Sequence, residues 1–248
     1  MKQTLKLLTA LLLAPLVGLA ATNSPAKKID PAFTPIVDDP KLPRVLIIGD
    51  SVSIAYTLDV RKALAGVANV HRPAANCGST KTALGPYGLE RWLVGDNAKW
   101  AVIHFNHGLH DLSYRFADDK DKNAKGEYAS PTNGGHQNVP PAEYEQNLRK
   151  IIARLKQTGA KLIFATTTPV PEPGAAKYVK DSEQPYNEVA RKVMAAEGVA
   201  INDLWALVKP QQEKLQIPRN VHFQAGGSAV MAKQVTQSIT VALPVKQP

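Results

Sequence analysis

Ser51 is the side chain in this sequence best placed to do chemistry. It closes the tripeptide Gly49-Asp50-Ser51, directly after the apolar run Val45-Leu46-Ile47-Ile48. That run has the composition of a buried strand. A stretch with Ile54, Leu58, Val60, Leu64 and Val67 at helical spacing follows. Ser51 therefore falls at a strand-to-helix turn, at the carboxyl end of the first strand. Open parallel sheets bind ligands at that end, and the N–H groups of a starting helix can hold an anion there. The competing reading is a serine that only caps the helix.

A serine hydroxyl attacks a carbonyl carbon only once a base takes its proton, and the base is most often histidine. The chain offers six. His71 falls at a strand end and His104 inside the run Trp100–Phe105. His107 and His110 follow that run, and His136 lies in a long polar stretch. His222 stands in Asn220-Val221-His222-Phe223, in a loop before the last helical pattern, where a rigid scaffold can hold a catalytic group. The spacing His104-x-x-His107-x-x-His110-Asp111 contains zinc-ligand types. On a strand and loop it does not turn three rings to one face. Asp119, Asp121 and Asn123 suit the start of a calcium loop, but Ala124 stands at its glycine position and Ser130 at its twelfth. No metal or other cofactor is expected.

The elements that must position these groups alternate. Strands are expected at Val45–Ile48, Asn69–Arg72, Trp100–Phe105, Lys161–Thr166 and Val199–Asn202. Helices are expected after Ser51 and at Tyr87–Leu93, Glu143–Thr158, Tyr186–Ala196 and Ser228–Leu243, the last with Met231, Val235, Ile239 and Ala242 inward. The crossovers are long enough for parallel pairing. The fold class is α/β, a three-layer α/β/α sandwich on a mainly parallel sheet. Residues 112–140 form a long polar stretch, read as a solvated excursion near the substrate.

The chain has 248 residues, room for one domain of this kind, here 44–244. Lys2 and Lys6 precede an apolar run from Leu7 to Ala20, closed by small residues. Residues 1–21 read as a secretory signal peptide, and Pro-rich 22–43 as a lead-in segment. The apolar run is too short and interrupted for a membrane span. A secreted or periplasmic address is expected, without stable membrane insertion after cleavage. The formal charge is +9, but the lysines are scattered and no arginine cluster is interleaved with aromatics, so no nucleic acid is expected. Cys77 is the single cysteine, which leaves no internal disulfide. It reads as a small buried hydrophobe.

The motifs in order resemble those of the SGNH, or GDSL, hydrolases, from about Arg44 to Leu243. Gly49-Asp50-Ser51-Val52-Ser53 resembles the first motif and Gly78 the second. Gly108-Leu109-His110-Asp111 is similar to the third, Gly-x-Asn-Asp, and His222 to the histidine of the last. The resemblance implies a flavodoxin-like sandwich and ester hydrolysis. Ser51 Oγ would attack and His222 would take its proton. The oxyanion would be held by the N–H groups of Ser51 and Gly78 and by a third-motif side chain. Two departures matter. His110 stands where the family has asparagine, while Asn106 lies at the strand end, so either supplies the donor. Arg219 stands where the family has the aspartate that orients the histidine. A backbone carbonyl or Asn220 can hold the ring instead, with Asp203 a more remote carboxylate. Asp50 and Asp111 are supporting candidates.

The substrate reading is a small-molecule or polysaccharide ester. No apolar lid points to a lipase, and Trp92, Tyr114 and Tyr128 in polar loops suit a sugar face. An exported esterase removing O-acetyl groups from carbohydrate is expected. The alternative is a broad short-chain esterase or lysophospholipase. An inactive fold that only holds carbohydrate is a further class, against which Ser51 and His222 are both present.

Overall fold

The computed structural model describes residues 29–94, 99–172 and 177–244; the expected signal peptide lies outside them. Five strands make a wholly parallel sheet: β1 (Arg44–Ile48), β2 (Asn69–His71), β3 (Trp100–Phe105), β6 (Lys161–Ala165) and β7 (Ala200–Asn202), in the order β2-β1-β3-β6-β7. β1 and β3 are central, which is why Val45–Ile48 and Val102–Phe105 are buried almost completely. The chain leaves β1 toward β2 on one side and later fills the other side. The switch point is the gap between the carboxyl ends of β1 and β3, where a ligand crevice opens. Ser51 follows β1 and Asn106–His110 follow β3. This is the expected α/β/α sandwich.

Helix α1 (Ser51–Ala63) packs on α9 (Ala225–Ala242), while α5 (Pro141–Lys156) packs on α6 (Glu183–Glu197) and on the short α2 (Thr80–Leu84). In α5, Leu148, Ile151, Ile152 and Leu155 are buried, as the helical spacing requires. In α9, Met231, Val235 and Ile239 are buried too, and Ala242 is partly so. The lead-in is tied down where it reaches the sheet. Asp38 pairs with Arg44 at 2.8 Å and with His71 at 2.6 Å.

Two expectations need correction. The apolar stripe read along α1 is its buried face only in part, at Val60 and Leu64. Leu58 is 43% and Val67 39% exposed, and the helix ends before Val67. The face turned inward is Val52, Ser53, Tyr56, Thr57 and Val60. Ser53 and Thr57 stand on that face because a buried guanidinium, that of Arg72, lies against their hydroxyls. The polar stretch 112–140 is largely exposed, as a solvated excursion should be, and it is folded. After α4 (Leu109–Leu112), β4 (Tyr114–Arg115) pairs antiparallel with β5 (His136–Gln137), and Ala129 is buried. Trp92, read as a sugar platform, is a core residue packed on His107, with ring centroids 6.4 Å apart.

Candidate active site

The β1–α1 turn presents Ser51 through a backbone held from inside. Asp50 is buried, and its Oδ1 accepts the N–H of Val52 at 3.0 Å, capping the helix. The serine hydroxyl is thereby left for another partner. That partner is His222, whose Nε2 lies 2.8 Å from Ser51 Oγ across 171 residues of chain.

The other ring nitrogen, Nδ1, lies 2.7 Å from Asn220 Oδ1, and the same oxygen accepts the backbone N–H of His222 at 3.0 Å. A backbone N–H can only donate, so the amide oxygen, not its NH₂, must face the ring. Nδ1 then carries the proton and Nε2 keeps its lone pair for the Ser51 hydroxyl. Arg219 just before it adopts a left-handed φ of 57°, and the Asn220 N–H bonds Ile217 O at 3.1 Å. Asp203, the remote carboxylate, is engaged elsewhere, accepting from Thr166 Oγ1, Ala206 N and Arg191. The structure therefore brings together Ser51, His222 and Asn220, and leaves Asp203 aside.

Gly78 lies on the loop after β2 with a left-handed φ of 58°, and a Cβ there would meet Thr82 Oγ1 at 2.8 Å. Its N–H donates to the exposed Asn76 side chain at 3.0 Å, and its carbonyl faces His107 Nδ1 at 3.1 Å. His107 is buried, which pushes its pKa down to about 4. The neutral ring donates to Gly78 and holds the loop. That role had no signal in the sequence, where His107 figured as one of six candidate bases and in a metal spacing. His104 is likewise buried with its pKa lowered to about 4, and its Nε2 accepts from Asn202 Nδ2 at 3.0 Å. The two rings serve separate places, so the histidine spacing does not converge.

The third-motif residues separate by function. Asn106 Nδ2 donates to Ala165 O at 2.8 Å, stitching the end of β3 to β6. Gly108 is required by packing, since a Cβ there would lie 1.8 Å from Thr167 Oγ1. Asp111 Oδ1 accepts both the N–H and the hydroxyl of Thr80, at 2.9 and 2.6 Å, joining α4 to α2. Burial nevertheless pushes the Asp111 carboxyl up to about 7. His110 is half-buried, and desolvation lowers its pKa, so its ring is neutral near pH 7. It lines a cavity of about 450 Å³ with Ser79, Lys81, Arg115, Phe116 and Asn138. Cys77 is buried, which raises its thiol to about 11 and leaves it inert near neutral pH.

The arrangement is a hydroxyl, a base and an orienting amide at the crevice of a parallel sheet. The chain matches the family model of the GDSL-like lipase/acylhydrolase family over residues 47–230. The chain belongs to this family. Its members are hydrolases acting on ester bonds. Similar solved structures include a lipase/acylhydrolase from Enterococcus faecalis, 17% identical with a TM-score of 0.62, covering 83% of this chain and 100% of that one. An acetyl xylan esterase is 13% identical with a TM-score of 0.59, covering 79% and 99%. A GDSL-like lipase from Bacteroides thetaiotaomicron is 15% identical with a TM-score of 0.55, covering 81% and 89%. At these identities the likeness is one of fold. No curated protein matches the chain. Among the described residues, no helix is long and apolar enough to cross a membrane.

Proposed function

We propose that this GDSL-family chain is an exported serine esterase that removes O-acetyl groups from carbohydrate. The observation that carries the serine chemistry is the relay Ser51 Oγ, His222 Nε2, His222 Nδ1 and Asn220 Oδ1, at 2.8 and 2.7 Å. In this reading Ser51 Oγ attacks the ester carbonyl as His222 Nε2 takes its proton. The negative charge that develops on the carbonyl oxygen is met by the N–H groups of Ser51 and Gly78 and by the neutral imidazole of His110. For this the Gly78 N–H exchanges the exposed Asn76 side chain for the oxyanion. His222 then gives its proton to the leaving alcohol. Water, activated by the same base, hydrolyses the acyl-enzyme and frees Ser51.

A carbohydrate alcohol is favoured by the cavity beside His110. Its lining of hydroxyl, amide, imidazole and charged groups, with Phe116 the one large apolar side chain, suits a hydroxyl-rich leaving group better than a long acyl chain. The acetyl xylan esterase among the similar folds accords with that substrate class. Export rests on the basic, apolar and small-residue pattern of 1–21.

The test is a folded Ser51→Ala protein assayed on a short aryl acetate, with an organophosphonate probe on the parent enzyme. Loss of turnover in the variant and labelling of the parent at Ser51 are expected. Near-normal turnover by Ser51→Ala would overturn the serine mechanism. A panel of acetylated glycans against long-chain acyl esters tests the substrate class, and preference for the long chains would reject it.

A further inference from the structure

Arg72 follows β2 and is 8% exposed. Its five N–H donors all find partners. Nε donates to Pro73 O at 3.3 Å. Nη1 donates to Ser53 Oγ at 3.2 Å and to Thr57 Oγ1 at 2.9 Å. Nη2 donates to Gly49 O at 3.2 Å and to Ala75 O at 3.4 Å. The Phe33 ring lies 5.4 Å from the guanidinium carbon. Every acceptor is a neutral oxygen. Burying a cation without bonding it to a carboxylate is costly, so something other than an ion pair accounts for an arginine here.

The acceptors show what it joins. Gly49 opens the nucleophile turn, and its carbonyl takes a second hydrogen bond, from Cys77 N at 3.2 Å. Ser53, held by Nη1, donates its own hydroxyl to Asp50 O at 2.7 Å. A Cβ on Gly49 would meet Ser53 Oγ at 2.8 Å, so the hydroxyl fills the glycine's place. One guanidinium thus touches Gly49 directly and Asp50 through Ser53, on the segment leading into Ser51. Through Ala75 it touches the segment leading into Gly78. The nucleophile and the second-motif loop come from different strands, and Arg72 is bonded to both.

We propose that Arg72 is a positioning residue for the esterase reaction. It sets the spacing between the turn that carries Ser51 and the loop that carries Gly78, so that the hydroxyl and both backbone N–H groups meet one carbonyl group. This rests on the serine mechanism proposed above. A planar fork of five donors can span these acceptors, whereas a lysine ammonium, with three donors on one atom, cannot. The transition state demands this spacing more strictly than the bound ester does.

The experiment compares Arg72→Lys and Ser53→Ala with the parent enzyme on an aryl acetate. Active sites are counted by organophosphonate labelling and folding is checked by circular dichroism. For Arg72→Lys, kcat per labelled site should fall roughly 10- to 100-fold with KM changed less than about twofold. Ser53→Ala keeps the guanidinium but removes one of its Nη1 acceptors and with it the link to Asp50, so a several-fold fall in kcat at constant KM is expected. A purely structural role would lower the number of labelled sites and the melting temperature but leave kcat per site unchanged. A folded Arg72→Lys with parental kcat per site overturns the proposal. If Arg72→Lys does not fold, parental kcat in Ser53→Ala overturns it. An active Ser51→Ala protein would instead reject the serine mechanism, a result distinct from either of these.

Discussion

Asn220 in place of a carboxylate is the feature of this site most open to a quantitative test. Asn220→Asp keeps the oxygen that accepts His222 N at 3.0 Å and faces Nδ1 at 2.7 Å, so the ring should stay where it is. It replaces the neutral amide nitrogen with charge. Two unit charges about 4 Å apart attract by about 1 kcal/mol in water and about 4 kcal/mol at the effective dielectric near a protein surface. Asn220 and His222 are both half-buried, so a gain of roughly 1–2 kcal/mol for the imidazolium is expected. That converts to about a 5- to 30-fold rise in kcat if proton transfer to His222 limits the rate. The same attraction should move the acid limb of the pH–rate profile upward by about one unit. Asn220→Ala should do the reverse, losing about 10- to 100-fold in kcat, because nothing then fixes the tautomer. The assay is aryl acetate hydrolysis followed from about pH 5 to 9. If Asn220→Ala turns over like the parent and Asn220→Asp leaves the acid limb unmoved, the amide does not orient His222.

Three further outcomes are expected. His110→Ala should lower kcat roughly 100-fold with little change in KM, as loss of an oxyanion donor does. Asn106→Ala should act mainly on stability, by about 1–2 kcal/mol, because its amide is committed to Ala165 O; steady-state kinetics and urea unfolding of both variants check this. Acid should destabilise the fold through His104, which is buried and titrates near 4 in place of the usual 6.5. Its folded pKa is depressed, so its contribution is complete above about 6.5 and is lost as pH falls toward 4, by an order of about 3 kcal/mol. His104→Gln should flatten the stability–pH curve over that window relative to the parent, and urea midpoints at about pH 7, 5.5 and 4.5 measure it.

The sequence by itself determined the order of strands and helices, and the segments that carry Ser51, Gly78, Asn106–Asp111 and His222. Those features are written in local patterns: apolar runs, helical periodicity, and glycines where the backbone must turn or pack closely. It also held Asn220 as one of several ways to steady the histidine. The choice among those ways belonged to the tertiary structure. The amide reaches the ring because Arg219 turns the loop with a left-handed φ of 57°, while Asp203 is drawn off to Thr166 and Arg191. The same holds for the supports of the site. His107 bonds to Gly78 across 29 residues, and Arg72 reaches back 23 residues to Gly49. Neither contact has a periodicity or a motif. A buried polar side chain is placed by the need to satisfy its donors, and which carbonyls or hydroxyls do so depends on strands that meet only when the sheet forms. The inward face of α1 was decided in the same way. Apolar spacing favoured Leu58, but Ser53 and Thr57 face inward because the Arg72 guanidinium beneath them needs oxygens to bond.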